Sequence, residues 1–266
     1  MTTLQRGAQV GGFVLLRRLG VGGQADVYLA RPTHGRWRAG LAALKVARPG
    51  HAAGLHDEHG WLADPQADHP GLAQLYSRCY AGRQANIGFV DVPGAGRAAF
   101  LALAYAPGLT LTELLARRRG RGLPTDLVTH IAAQTAAALD HLHCRLGIVH
   151  HDVRPANLII GPGRSPRVTL IDLGAAESLA APRRRWLYGT ADYLPPERLA
   201  GAPASPHTDI YSLGLVLRAM LGNQPAPPAL AALIHAATVD DPQRRATAIP
   251  DMAAMIVRLQ TGGSDA

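Results

Sequence analysis

The stretch "VHHDVRPANLII" (residues 149–160) crowds His150, His151, Asp152, Arg154 and Asn157 between apolar flanks. A second stretch, "LIDLGAA" (170–176), sets Asp172 at the end of an apolar run. Taken singly, either aspartate reads as a turn or cap residue. The histidines suggest no metal either, because His141, His143, Cys144 and His151 match no zinc-ligand spacing. The meaning of these polar groups depends on what the rest of the chain places around them.

Working outward, the 266 residues suit one large domain or two lobes around a cleft. Apolar residues make up 47%, which is enough for a substantial core. The two cysteines, Cys79 and Cys144, make no disulfide framework and fit a reducing compartment. The N-terminal residues carry no signal-peptide-like apolar region, and apolar runs break before about 18 residues, so no membrane span and a cytoplasmic location are expected. The net charge of +8 and the runs Arg117–Arg119 and Arg183–Arg185 raise the question of nucleic acid. No aromatic ladder or binding module accompanies them, so a solvated basic face is the better reading.

One lysine stands apart. Lys45, in "LAALKVA" (41–47), is the only lysine; the other 26 of the 27 basic residues are arginine. Its plainest role is a side chain snorkelling from a strand edge. Upstream, "LGVGGQADVYLA" (19–30) carries Gly20, Gly22 and Gly23. The residues that follow, Val27, Tyr28 and Leu29, favour a strand, so a Rossmann fingerprint does not fit, and no Gly-Lys-Ser/Thr loop is present. What remains is a glycine hairpin between two strands, then a strand bearing the lysine.

The coarse pattern is strands over 12–50, a weak helix near 55–64, and strand-like segments at 72–80, 86–92 and 98–105. Helices follow from Thr110. Leu127, Ile131, Ala138, Leu139 and Leu142 recur on one helical face, 208–221 reads as a buried helix, and further helices fit 228–239 and 246–260. A strand-rich N-terminal third before a helical remainder predicts an α+β fold of two lobes.

From about Val14 to Leu259 these motifs, in this order, resemble the bacterial branch of the eukaryotic-like Ser/Thr protein kinases. The resemblance implies a bilobal kinase domain over 10–259: a small β-rich lobe to about 103, a hinge at 104–106, a larger helical lobe over 107–259, and short tails at 1–9 and 260–266. It also implies ATP and Mg2+. The glycine loop becomes Gly20-x-Gly22-x-x-Ala25-x-Val27, with Ala25 where the family has a third glycine. Lys45 takes the place of the ATP-anchoring lysine, where a compact ammonium suits both phosphate oxygens and a carboxylate better than a planar guanidinium. Glu58 is its expected partner, although Gly60 and Pro65 weaken the helix around it. Asp152 takes the catalytic position, and Asn157 and Asp172 the Mg2+ positions. The adenine is expected between Val27 and Ala43 on one side and Ile159 on the other. Leu103 falls at the gatekeeper, and Ala104, Tyr105 and Ala106 at the hinge.

The departures from the family carry information of their own. His151 replaces the usual arginine before the catalytic aspartate, which removes a common clamp on a phosphorylated activation segment. Activity without obligatory phosphorylation is therefore expected; that segment offers Ser178, Tyr188, Thr190 and Tyr193. Arg154 replaces a lysine and should still meet the γ-phosphate. Thr190 favours Ser/Thr acceptors. Glu197 should pair with Arg245, and Asp209 should cap backbone amides of the catalytic stretch. Only "GNQPAPPA" (222–229) joins the buried helix to the next, so the helical lobe reads as shortened, lacking the helix that family members usually have there. Residues 78–97 read as a hairpin insert. Protein substrates with Ser/Thr acceptors are expected, with no nucleic acid. Ala25, His151, Arg154 and the short lobe also fit an alternative: a pseudokinase scaffold that binds nucleotide or partners without turnover.

Overall fold

Residues 13–32 form a hairpin whose first strand opens with alternating burial over 13–16, because successive strand side chains point to opposite faces. The computed structural model describes residues 4–33, 40–80, 85–181 and 191–245, together with Ala254 and Ile256. Within these, the chain forms two compact units: residues 1–68 with 73–106, and residues 69–72 with 107–266.

The first unit is a six-stranded antiparallel sheet with short helices. Its elements are β1 (Gln9–Val10), β2 (Phe13–Val21), β3 (Ala25–Pro32), β4 (Ala42–Ala47), α1 (Ala52–Ala63), α2 (Tyr76–Cys79), β5 (Ile87–Val92) and β6 (Gly96–Ala104), in sheet order β1-β2-β3-β4-β6-β5. Register divides its side chains between two faces. Val27 lies opposite Lys45, Lys45 opposite Leu101, and Ala43 opposite Leu103. Residues directly opposite, and residues two apart on a strand, share a face. Val27, Ala43, Lys45, Leu101 and Leu103 therefore line one side. Tyr28, Ala30, Ala42, Leu44, Val46, Phe100 and Ala102 take the other and close a core with Phe13 and Tyr76. Those two rings meet edge to face at 5.0 Å.

The second unit is mainly helical: β7 (Leu109–Thr110), α3 (Leu111–Arg118), α4 (Thr125–His141), β8 (Ile148–Val149), β9 (Leu158–Ile160), β10 (Val168–Leu170), β11 (Glu177–Ser178), α5 (Pro196–Leu199), α6 (Pro206–Leu221) and α7 (Pro228–Ala237). Thr110 and Glu113 form a reciprocal capping box at the start of α3. In α4 the buried positions are 128, 129, 131, 132, 135, 136, 138 and 139; Val128, not Leu127, begins the core face. The helix ends in one π turn, Leu142–Leu146, closed by Gly147 at φ +62°.

The segment expected as a strand over 72–80 is different. Leu72 and Leu75 make single bridges, to Leu170 and Leu103, and Tyr76–Cys79 is a helical turn that drives Tyr76 into the core. The weak helix predicted near 55–64 is the twelve-residue α1, stopped ahead of Pro65, with Leu55, Glu58 and Leu62 on its buried side. Residues 87–104 form the β5–β6 hairpin. Residues 222–227 join α6 directly to α7, and the joint is tied down by Gln224, whose Nε2 donates to the Arg121 carbonyl at 2.6 Å. Gly222 sits at φ +58°, and a Cβ there would stand 2.6 Å from the Gly120 carbonyl oxygen, so only glycine turns this corner. Of the helix expected over 246–260, only Ala254 and Ile256 are among the described residues, and both are helical.

Candidate functional site

In the first unit, β4 delivers Lys45 and α1 delivers Glu58 to one face of the sheet. Lys45 Nζ meets Glu58 Oε2 at 2.5 Å, with Glu58 fully buried and Lys45 8% exposed. A buried charge requires a partner, and each of these residues supplies the other's. The β2–β3 turn is closed by the Gly22 amide donating to the Ala25 carbonyl at 2.9 Å. A Cβ on Gly22 would meet that same oxygen at 2.9 Å, whereas Gly20 and Gly23 have open space. Ala25 itself is buried in β3. Leu103 is buried near the end of β6. The Tyr105 amide is engaged by the Leu41 carbonyl at 3.0 Å and the Ala104 amide by Gln74 at 2.8 Å.

In the second unit, the polar stretch after β8 is organised by hydrogen bonds. Asp209 of α6, fully buried, accepts the His150 amide at 2.8 Å and the His151 amide at 2.9 Å. Burial works against its charge, but the effects that oppose it, led by a hydrogen bond from His143 Nε2 at 2.8 Å, outweigh it and hold the carboxyl at about 2. This anchoring accommodates His151 in a left-handed conformation, φ +65°. The His150 ring takes the Asp152 amide on Nδ1 at 3.2 Å, which leaves Nε2 as the donor to the Ile171 carbonyl at 3.2 Å.

Asn157 gathers the remaining groups. Its Nδ2 donates to the Asp152 carbonyl at 2.8 Å and to Asp152 Oδ2 at 2.7 Å. Its own carbonyl accepts the Ile171 amide at 2.9 Å, which sets Asp172 beside it. Arg154 Nε reaches Asp152 Oδ2 at 3.2 Å. Burial raises the Asp152 pKa, although Arg154, His150 and Asn157 pull it down. Asp172 turns the chain at φ +73° and accepts the Gly174 amide at 3.3 Å. Ile159 lies on β9, opposite Thr169 and Thr110.

His151 is almost wholly buried, and burial brings its pKa down to about 4, so the ring is neutral at pH 7. Among the described residues neither of its ring nitrogens has a hydrogen-bond partner, while Glu177 Oε2 lies 3.7 Å from Nε2. Arg245 forms a bidentate pair with Glu197, at 2.6 and 3.1 Å. Tyr188, Thr190 and Arg183–Arg185 lie outside the described residues. Among the described residues no group of three or more His, Cys, Asp or Glu side chains is placed to hold a metal ion, and no helix is long and apolar enough to cross a membrane.

Sequence reasoning missed His143 and Glu177. His143 lies 66 positions from Asp209, and nothing local to either residue announces their meeting.

A family model described as the protein kinase domain matches residues 13–252, and the chain belongs to that family. It is 36% identical over 162 residues to the serine/threonine-protein kinase PknA of Mycobacterium tuberculosis (strain ATCC 25618 / H37Rv), covering 59% of this chain and 34% of PknA. It is 31% identical over 234 residues to PknF of the same strain, covering 84% of this chain and 45% of PknF. The chain thus spans between a third and half of the length of these curated relatives. The crystal structure of the M. tuberculosis PknI kinase domain is similar at TM-score 0.68 and 25% identity, covering 96% of this chain and 99% of that one.

Proposed function

We propose that this protein transfers the γ-phosphoryl group of Mg·ATP to Ser/Thr hydroxyls of proteins and needs no activation-segment phosphorylation. The observation that carries this reading is the convergence of Asp152, Asn157 and Asp172 through Asn157's three hydrogen bonds. The donor set fits a hard divalent cation. Asn157 turns its amide nitrogen to Asp152, which leaves its side-chain oxygen as the ligand, and Asp172 adds a carboxylate. Held by Asn157 and Asp172, Mg2+ would supply positive charge that offsets the charge of the phosphates.

Lys45, fixed by Glu58, is assigned to the α- and β-phosphates. Gly20, Gly22 and Gly23 let the backbone of the turn approach the triphosphate closely, because no Cβ intervenes. Val27, Ala43, Leu103 and Ile159 are assigned to the adenine ring, with Ala104 and Ala106 reading its edge. Asp152 orients the acceptor hydroxyl and takes its proton as the hydroxyl oxygen bonds the γ-phosphorus and the bond to the ADP oxygen breaks. Arg154 adds positive charge for the γ-phosphate. A neutral His151 offers no cation to a phosphorylated segment, which supports independence from phosphorylation.

The test is transfer of radiolabel from ATP to casein by wild type and by Asp172→Asn, with metabolite acceptors in parallel. Transfer to protein that is lost in the variant is expected. Nucleotide binding without transfer in the wild type would establish the scaffold alternative instead. A Ser178→Ala/Tyr188→Phe double variant should keep its activity; a folded but inactive one would refute the claim of phosphorylation independence.

A further inference from the structure

Glu177 is a buried carboxylate, its side chain 4% exposed, and it sits five residues beyond Asp172 in a two-residue strand. A carboxylate so placed must be compensated, and Arg198 of α5 brings Nη2 to 3.6 Å of Oε1. Arg198 is buried as well, and its Nη1 is anchored on the Ala202 carbonyl at 2.6 Å. Its neighbour Glu197 is engaged by Arg245, so the adjacent acid does not compete for it. The other Glu177 oxygen faces the neutral His151 ring at 3.7 Å.

The backbone continues the connection. Glu177 is in register with Val149 and Ser178 with Ile148, and the Leu179 amide donates to the Gly147 carbonyl at 2.8 Å. Val149 is followed by the stretch carrying Asp152. Strand pairing and the Glu177–Arg198 ion pair together link three pieces of chain: the run after Asp172, the run before Asp152, and α5.

We propose that Glu177 is a positioning residue for phosphoryl transfer: its buried carboxylate, held by Arg198, pins the segment after Asp172 against the His151–Asp152 stretch with no added phosphate. It rests on the kinase reading above and names the group that makes phosphorylation dispensable. The charge that such a segment would otherwise have to acquire is already encoded in the chain.

The test compares wild type with Glu177→Gln, Arg198→Gln, the double variant, and Glu177→Asp as the conservative change. Casein phosphorylation is measured before and after phosphatase treatment, with hydrogen exchange followed over residues 176–180. Either Gln variant should lower kcat roughly tenfold while KM for ATP stays within about twofold, since ATP-anchoring groups are untouched. The double variant should be no worse than either single one, because the two act as a unit. Glu177→Asp should recover part of the rate, and exchange at the Leu179 amide should rise in the Gln variants and not in α4. Phosphatase should leave wild-type activity intact. Unchanged kcat and exchange in Glu177→Gln, or loss of wild-type activity on phosphatase treatment, overturns the proposal. If every Gln variant unfolds, the Glu177→Asp rate and exchange decide it. If the wild type transfers no phosphate, the kinase reading fails by itself, and the exchange data alone decide whether the pin exists.

Discussion

Lys45 illustrates how a single residue acquires its meaning from burial. Replacing it with methionine leaves the Glu58 carboxylate, fully buried, without its ammonium partner. Breaking such a pair should cost about 3–5 kcal/mol, seen as a lowered urea midpoint, together with loss of phosphoryl transfer. Glu58→Gln/Lys45→Met should be more stable than the single Lys45 variant, because no uncompensated charge remains. His151 carries the pH dependence. Its folded pKa of about 4 lies below the ordinary value near 6.5. Unfolding therefore takes up a proton between those limits. The stabilisation is fully present above about pH 6.5 and is lost as pH falls towards 4, up to about 3 kcal/mol. Melting curves across that window should show the slope in wild type and a flatter one in His151→Asn, where asparagine tolerates the left-handed backbone.

At the level of elements, the β2–β3 hairpin and helix α6 do different work. Gly22→Ala pushes a methyl against the Ala25 carbonyl oxygen and must open the turn. The expected result is a several-fold rise in KM for ATP, on the order of 1 kcal/mol, with thermal stability nearly unchanged. Helix α6 instead holds the site from below through Asp209, which accepts two amides and a ring nitrogen. Asp209→Ala strands those donors in a buried place, at about 1–3 kcal/mol or more, and should abolish activity while calorimetry still shows a cooperative transition. Arg245→Ala leaves Glu197 without its bidentate partner, at about 3–5 kcal/mol, and its effect should appear in stability ahead of ATP affinity.

On the scale of the whole molecule, the chain crosses between its two units more than once. Residues 69–72 belong with the helical unit although residues of the sheet-bearing unit flank them on both sides. Leu72 is buried and bridges Leu170, whose amide donates to Gly71 at 2.8 Å, and His69 stacks on His141 at 4.7 Å. Leu72→Ala should therefore destabilise α4 and β10, by about 2–5 kcal/mol, and leave exchange in β2–β4 close to wild type. Protection lost first in the sheet would refute this.

Much of the architecture was readable before any coordinates, because it rests on short-range rules. Strand-favouring runs between Gly and Pro punctuation marked the strands, and apolar residues recurring on one helical face marked helix α4. The rarity of one lysine and the order of short polar motifs singled out Lys45, Asp152, Asn157 and Asp172. The Tyr76 turn was misread because its four residues hold too little pattern to separate helix from strand. The backbone amides that Asp209 caps were expected, but the side-chain partners of Asp209 and Glu177 were invisible, because His143 and Arg198 lie 66 and 21 positions away. Local chemistry is written in neighbouring residues. Which buried charge faces which counter-charge depends on how distant segments pack, and the cost of leaving a charge unpaired makes that packing specific.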